Sequence, residues 1–197
     1  MGTIASPDAP PSDQRASGRP LMGLDMKLTD ADGVALPQQR GVTGRLKVKG
    51  ASVLDRYFKA ETPSLDAEGY FDTGDLASID DAGDLTICGR SKDLIKSGGE
   101  WINPAEIEEI VGRHPAVGLV AVIGRLSHKW GERPLLIVEA RQGYAVADAD
   151  LIDSLRGKIA DWWLPDAVVR VDAMPLASTG KIDKTRLRAE YAAGENL

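Results

Sequence analysis

The chain has 197 residues, 43% of them hydrophobic, and a formal net charge of −6. That is enough apolar material for one respectable core or two small ones, and the absence of any run of about 18 apolar residues excludes a helix that spans a bilayer. The acidic balance disfavours a nucleic acid partner, because phosphate-backbone binding depends on clustered Lys and Arg. Residues 1–20 mix Pro, Ser, Asp and Gly without the apolar centre of a signal peptide, so they read as a flexible leader. Strand signals follow in Met26–Thr29, the turn Asp30-Ala-Asp-Gly33, and Arg45–Gly50, whose alternation puts Leu46 and Val48 on one face. A second hairpin is predicted from Ala77–Ile79, the turn Asp80–Asp84 and Leu85–Ile87, with Gly83 supplying a positive φ. The single cysteine, Cys88, sits in an apolar run and reads as strand packing; with no internal disulfide possible, it fits a reducing cytoplasm.

Further along, Asn103 can cap a helix that has Pro104 at its first position and Glu106 three residues after the cap. Ile107, Ile110 and Val111 form its apolar stripe, and Gly112 and Pro115 stop it. Strands are predicted over Val117–Ile123, Leu135–Ala140 and Ala167–Val171, with a polar loop from His128 to Arg133. A second helix is expected over Asp150–Trp162, where Leu151, Ile152, Leu155 and Ile159 recur at helical spacing, and a charged terminal helix over Lys184–Tyr191. His114 and His128 have no partner spacing that suggests a metal or a triad, and Trp162-Trp163 reads as core or interdomain surface. The fold class is α+β, a short antiparallel β region followed by a small mixed α/β domain, without internal repeats.

Three segments carry chemistry. In Pro175-Leu-Ala-Ser-Thr-Gly-Lys181-Ile-Asp-Lys184 one lysine rides on a small-residue turn, where its ammonium can be carried towards dense negative charge. It is not a phosphate-loop lysine, since Pro175 and Ile182 stand where that pattern requires a glycine and a hydroxyl residue. In Tyr70-Phe-Asp-Thr-Gly-Asp75-Leu a Thr-Gly turn projects a carboxylate, whose two oxygens can accept both ribose hydroxyls; Arg90, at a strand end, could reach the same ribose or a phosphate. Ser97-Gly98-Gly99 lets backbone approach a ligand closely. Each has a bland counterpart: a solvated lysine at a helix start, a surface ion pair, a hairpin turn beside a core aromatic.

In their order and spacing the three segments closely resemble the C-terminal third of the AMP-forming acyl-CoA synthetases, the adenylate-forming ligase family. The resemblance runs from about Gly18 to Tyr191; Gly-Gly-Glu-Trp-Ile at 98–102 followed by Trp163-Leu-Pro-Asp166 looks most like the medium- and long-chain fatty acid branch. It implies a division into a leader (1–20), the β-rich end of a large N-terminal domain (21–91) and a C-terminal lid domain (92–197). It also implies roles: Lys181 bridging carboxylate and α-phosphate, Asp75 and Arg90 at the nucleotide, and Trp101 near the adenine. Gly98, Gly99 and Lys96 fall on the coenzyme A side, and Lys92 is the pivot about which the lid swings between two half-reactions. The reaction implied joins a carboxylate, such as a fatty acid, to coenzyme A with ATP converted to AMP and diphosphate. ATP or AMP and coenzyme A are the implied cofactors, with magnesium entering alongside ATP on residues N-terminal to the matched part; tight binding of any of them to this chain is not expected.

The family's phosphate loop, Thr-Glu magnesium segment and acyl pocket precede the matched region, and none is found in Met1–Gly50. The expectation is therefore a catalytically incomplete piece: an excised segment, a truncated reading frame or a separately encoded lid. The competing expectation is a stand-alone interaction or nucleotide- or coenzyme A-binding module without turnover. Strands of residues 21–90 left without a covering partner would invite pairing with a second copy, giving a homo-oligomer.

Overall fold

The computed structural model describes residues 3–4, 16–59 and 61–193. The chain divides into two compact units, residues 1–92 and 93–197. Among the described residues no helix is long and apolar enough to cross a membrane.

The first unit is a six-stranded antiparallel sheet. Its strands are β1 (Thr3–Ile4), β2 (Ala16–Pro20), β3 (Leu24–Thr29), β4 (Thr43–Gly50), β5 (Phe71–Ile79) and β6 (Leu85–Arg90), in the order β1-β2-β6-β5-β4-β3. The alternation read from the sequence decides which face is covered: Leu24, Leu28, Leu46, Val48, Ala77, Ile79 and Leu85 make its core. Most of the stretch expected as a leader lies outside the described residues. Its described parts, however, are strands: β1 pairs with β2, and β2 with β6, so the sheet starts before residue 21. The backbone reason is that β6 would otherwise present a row of unpaired donors and acceptors. Cys88 is the residue skipped where the β5–β6 register shifts between Leu76↔Gly89 and Ala77↔Ile87, a bulge.

The second unit is a mixed sheet with helices on both faces. It contains β7 (Ile95–Ser97), β8 (Glu100–Ile102), α1 (Pro104–Gly112), β9 (Val117–Ser127), β10 (Gly131–Ala140), α2 (Asp148–Asp153), β11 (Ala167–Arg170) and α3 (Lys184–Tyr191). β10 is the hub: it runs antiparallel to β9 along its whole length, parallel to β11 from Leu135 to Val138, and meets β7 at Gly131↔Ser97. Its run Pro134–Val138 is buried, as expected of a strand covered on both faces. Leu136 and Val138 point to a cluster with Ile107, Val111, Leu151 and Leu155, and Leu135 and Ile137 to one with Met174 and Leu187.

α1 forms as its capping residues dictate: the Asn103 side chain accepts from the Ala105 N–H at 3.2 Å and donates to Glu106 at 3.1 Å. The second helix is shorter than expected. α2 ends at Asp153, Gly157 takes a left-handed φ of 70°, and only a 3-10 turn, Asp161–Trp163, follows. Leu151, Leu155 and Ile159 still reach the core, so their helical spacing records burial on one side of an irregular segment.

Candidate functional site

In the first unit, Asp75 and Arg90 face each other as cross-strand partners, with Arg90 Nε 2.9 Å from Asp75 Oδ1. Beside them Thr73-Gly74, expected as a turn, instead lies inside β5 as a bulge, where the register against β4 shifts between Arg45↔Leu76 and Lys47↔Asp72, and it is gripped from several sides. Gly74 has a φ of 71°, its N–H donates to Asp72 at 2.8 Å, and the Thr73 hydroxyl donates to Leu46 O at 2.9 Å. Arg90 Nη1 donates to Thr73 O at 3.2 Å, and the Ser91 hydroxyl to Gly74 O at 3.1 Å. The carboxylate is thus fixed beside a stiff strand bulge, with a half-exposed guanidinium against it. Tyr70, which opens this segment, donates its hydroxyl to Asp25, and that carboxylate pushes the phenol up to about 12.

The lysine turn belongs to the second unit. A bridge between Leu176 and Ile182 closes it, Ala177 N–H donates to Lys181 O at 2.8 Å and Gly180 N–H to Ala177 O at 2.9 Å, and Gly180 adopts φ 78°. Asp183 then caps α3 by accepting from the Arg186 N–H at 3.0 Å. Lys181 itself is exposed, and among the described residues its ammonium has no ion-pair or hydrogen-bond partner. The backbone is held on both sides while the cation is left available.

The glycine segment is the tight hairpin between β7 and β8. Gly98 (φ 59°) and Gly99 (φ 94°) occupy conformations that L side chains rarely adopt. They differ in surroundings. A Cβ on Gly98 would sit 3.0 Å from the Trp130 ring, whereas one on Gly99 would meet nothing within 4 Å, so Gly99 faces open space. Gly98 N–H donates to Trp130 O at 2.8 Å. Lys96 and Trp101 are cross-strand neighbours at the base of this hairpin, with the ammonium 5.6 Å from the exposed indole. Lys92 is exposed in the 3-10 turn Ser91–Asp93, at the boundary between the units. His114 accepts at Nδ1 from the Ala116 N–H at 3.2 Å, a local helix-end contact.

Arg133, which the sequence reading left in a polar loop, organises the surroundings of the hairpin. It forks onto Asp166 through Nε at 3.0 Å to both oxygens and through Nη2 at 2.7 Å. It also donates to the carbonyls of Trp162 (2.6 Å) and Leu164 (2.9 Å) and to the buried Ser97 hydroxyl (3.3 Å). Glu132 beside it accepts from the Lys96 N–H at 3.0 Å. Ser97, Gly98, Glu100, Trp130, Arg133, Trp162 and Asp166 together line a concavity of about 400 Å³. Arg133 was not recognisable in advance because its partners lie 29–36 residues away and half of them are backbone carbonyls.

Residues 106–181 match the AMP-binding enzyme C-terminal domain, a match whose last residue is Lys181. The chain is 47% identical over 174 residues to 3-methylmercaptopropionyl-CoA ligase of Ruegeria lacuscaerulensis, covering 88% of this chain and 32% of that protein. It is 40% identical over 186 residues to medium-chain-fatty-acid–CoA ligase of Ectopseudomonas oleovorans, covering 94% of this chain and 34% of that protein. ATP-bound MatB from Rhodopseudomonas palustris superimposes with a TM-score of 0.83 at 35% identity, over 90% of this chain and 36% of that one. The chain therefore spans about a third of the length of the curated relatives it matches.

Proposed function

We propose, for a chain that belongs to the acyl-CoA ligase family and carries its AMP-binding C-terminal domain, a part in joining a carboxylate to coenzyme A through an acyl-adenylate. In the first half-reaction a carboxylate oxygen attacks the α-phosphorus of ATP and the bond to the β-phosphate breaks, releasing diphosphate. In the second, the thiol sulfur attacks the acyl carbon, AMP leaves and the thiol proton passes to solvent. Two anions must meet in the first step, so a cation fixed between them stabilises the transition state more than the separated reactants. The observation that carries the reading is Lys181: an exposed ammonium without a partner among the described residues, on a turn closed by its own backbone.

The remaining roles follow from what each group offers. Asp75 presents a carboxylate to the ribose with Arg90 beside it, and Trp101 offers an exposed indole face to the adenine. Gly98 and Gly99 let a slender pantetheine arm pass close to backbone, with Lys96 within reach of a coenzyme A phosphate. Lys92, at the boundary, takes up backbone rotation between the two steps. Magnesium would accompany ATP. The relatives' names favour a fatty or other small aliphatic acid. Met22, Tyr57 and Phe58, exposed in the first unit, support pairing with a second copy, which sedimentation would reveal as a concentration-dependent dimer.

The test separates the half-reactions. In a protein that also supplies the N-terminal phosphate loop and acyl pocket, Lys181→Ala should lower carboxylate-dependent ATP–pyrophosphate exchange about 10²–10³-fold, with little change in thioester formation from preformed acyl-adenylate. Gly99→Ala should do the reverse. Equal losses in both halves for Lys181→Ala would overturn the assignment. A second reading, a binding module without turnover, is favoured by the concavity beside the glycine hairpin; micromolar binding of coenzyme A by this chain, with no turnover either alone or with an N-terminal partner added, would favour it over the first.

A further inference from the structure

The lysine turn runs directly into α3, so whatever sets the position of that helix sets the direction in which Lys181 is presented. Its apolar anchorage is slight: of eight residues only Leu187 is buried, with Ile182 and Tyr191 packed partly at either end. One buried side chain, with one backbone bond from the Leu126 N–H to Ala192 O at 3.1 Å at the helix end, does not by itself fix the rotation of a short helix about its axis. What flanks Leu187 is charged. Lys184 and Arg188, four residues apart and hence on one helical face, each reach a carboxylate on another element. Lys184 Nζ lies 2.6 Å from Glu108 Oε1 on α1, with both side chains about four-fifths buried. Arg188 Nη2 lies 2.5 Å from Asp93 Oδ1, at the residue that immediately follows Lys92. Glu108 also accepts the Val122 N–H of β9 at 2.7 Å, so its carboxylate is tied to the central sheet as well as to α3. The two carboxylates are close enough to feel each other's charge. Asp93, Arg188, Lys184 and Glu108 therefore form one network of two cations on α3 between two fixed anions. Among the described residues, the ion pair on the opposite face of the helix is the exposed Arg186–Glu190.

We propose that Glu108 and Asp93 are positioning residues for the lysine turn: through Lys184 and Arg188 they fix the rotation and slide of α3, and with it the aim of Lys181. This rests on the reading of Lys181 as the adenylation cation, but the structural half of it stands without that reading. Neither carboxylate needs to touch a substrate. Both act by denying the helix alternative placements, since a shift would strand a largely buried charge. Asp93 further links the turn to the segment next to the pivot position, so that rotation at Lys92 carries the lysine as part of a rigid body.

The test is amide hydrogen exchange on this full chain without ligand. The reporters are Ala177, Gly180 and Asp183, whose N–H groups close the turn, set against Leu136 and Val138 in β10. Glu108→Gln and Arg188→Met should each speed exchange of the three turn amides by about tenfold while the β10 amides keep wild-type rates. Arg188→Lys, which keeps the charge, should restore most of the protection. Unchanged turn amides would overturn the proposal, as would equal acceleration in β10, which would make the pairs general stability contacts, or an Arg188→Lys variant that behaves like Arg188→Met. Should Glu108→Gln fail to fold because Lys184 is left buried, the Arg188 pair of variants decides alone. Lys181→Ala should leave all these rates unchanged, so a failure of Lys181 in the pyrophosphate-exchange assay and a failure of the positioning network are read separately.

Discussion

The arginine and carboxylate proposed for a ribose in the first unit already hold each other, whereas in the second unit the lysine proposed for a carboxylate–phosphate junction is held by its backbone alone. The contrast separates two ways of aiming a charge. A side chain oriented by a counter-ion must exchange or share that partner when a ligand arrives, which is easy at an exposed pair. A side chain aimed by a closed turn keeps its whole electrostatic capacity for the ligand, but the turn needs anchoring elsewhere, here by the buried pairs of α3. The units also differ in how they hold charge. The Lys47 ammonium hydrogen-bonded to Asp66 holds that carboxyl down at about 2, while burial pushes Glu108 up against the opposing pull of Lys184.

The comparison is broken most severely by removing one unit's core and watching the other. Leu46→Ala and Leu136→Ala should each cost about 2–5 kcal/mol, and calorimetry should show each lowering only its own unit's transition; a single merged transition would deny that the two cores are separate. The hairpin comes next. Gly98→Ala combines left-handed backbone with a clash against Trp130 and should cost about 1–2 kcal/mol, Gly99→Ala less, measured as urea midpoints. Asp75→Asn should change stability by less than about 1 kcal/mol, because the Arg90 partner is exposed, a change read as the urea midpoint.

The smallest effects lie in the pH dependence, and their signs oppose. Asp66 has a lowered folded pKa, so its contribution is present above the usual 3.8 and lost as pH falls through about 2. Glu108 has a raised one, so its contribution is present below the usual 4.5 and lost as pH rises through its folded value. Acid titration of unfolding free energy should therefore show a fall in the first unit that Asp66→Asn flattens, and a rise in the second that Glu108→Gln flattens.

How much of this could be read in the residues depends on range. Asn103-Pro104 announces α1 because a cap acts within three residues, and the helix begins where those residues stand; Asp183 caps α3 in the same way, a local signal the sequence reading did not use. The alternation at Leu46 and Val48 named the covered face of the first sheet for the same reason. The second helix was overread because Leu151, Leu155 and Ile159 satisfy a helical period while Gly157 turns the chain away. Lys181, Gly98 and Gly99 could be picked out as candidates because turns have local chemistry. Arg133 and Glu108 could not, since an arginine facing carbonyls 29 and 31 residues away, or a glutamate on an exposed-looking helix position facing β9 and α3, leaves no pattern in the chain.

The central place of β10 has a consequence for biosynthesis. Its parallel neighbour β11 starts at Ala167, 27 residues beyond the end of β10 at Ala140, so at about 5–20 residues per second the growing chain waits roughly 1–5 s before that side of the hub can be paired. Throughout that interval the nascent β9–β10 hairpin shows the ribosome's surroundings an apolar face and an unfilled edge. Chaperone demand during translation should thus concentrate on the second unit, and pausing codons between 141 and 166 should lower soluble yield more than the same codons placed after β11.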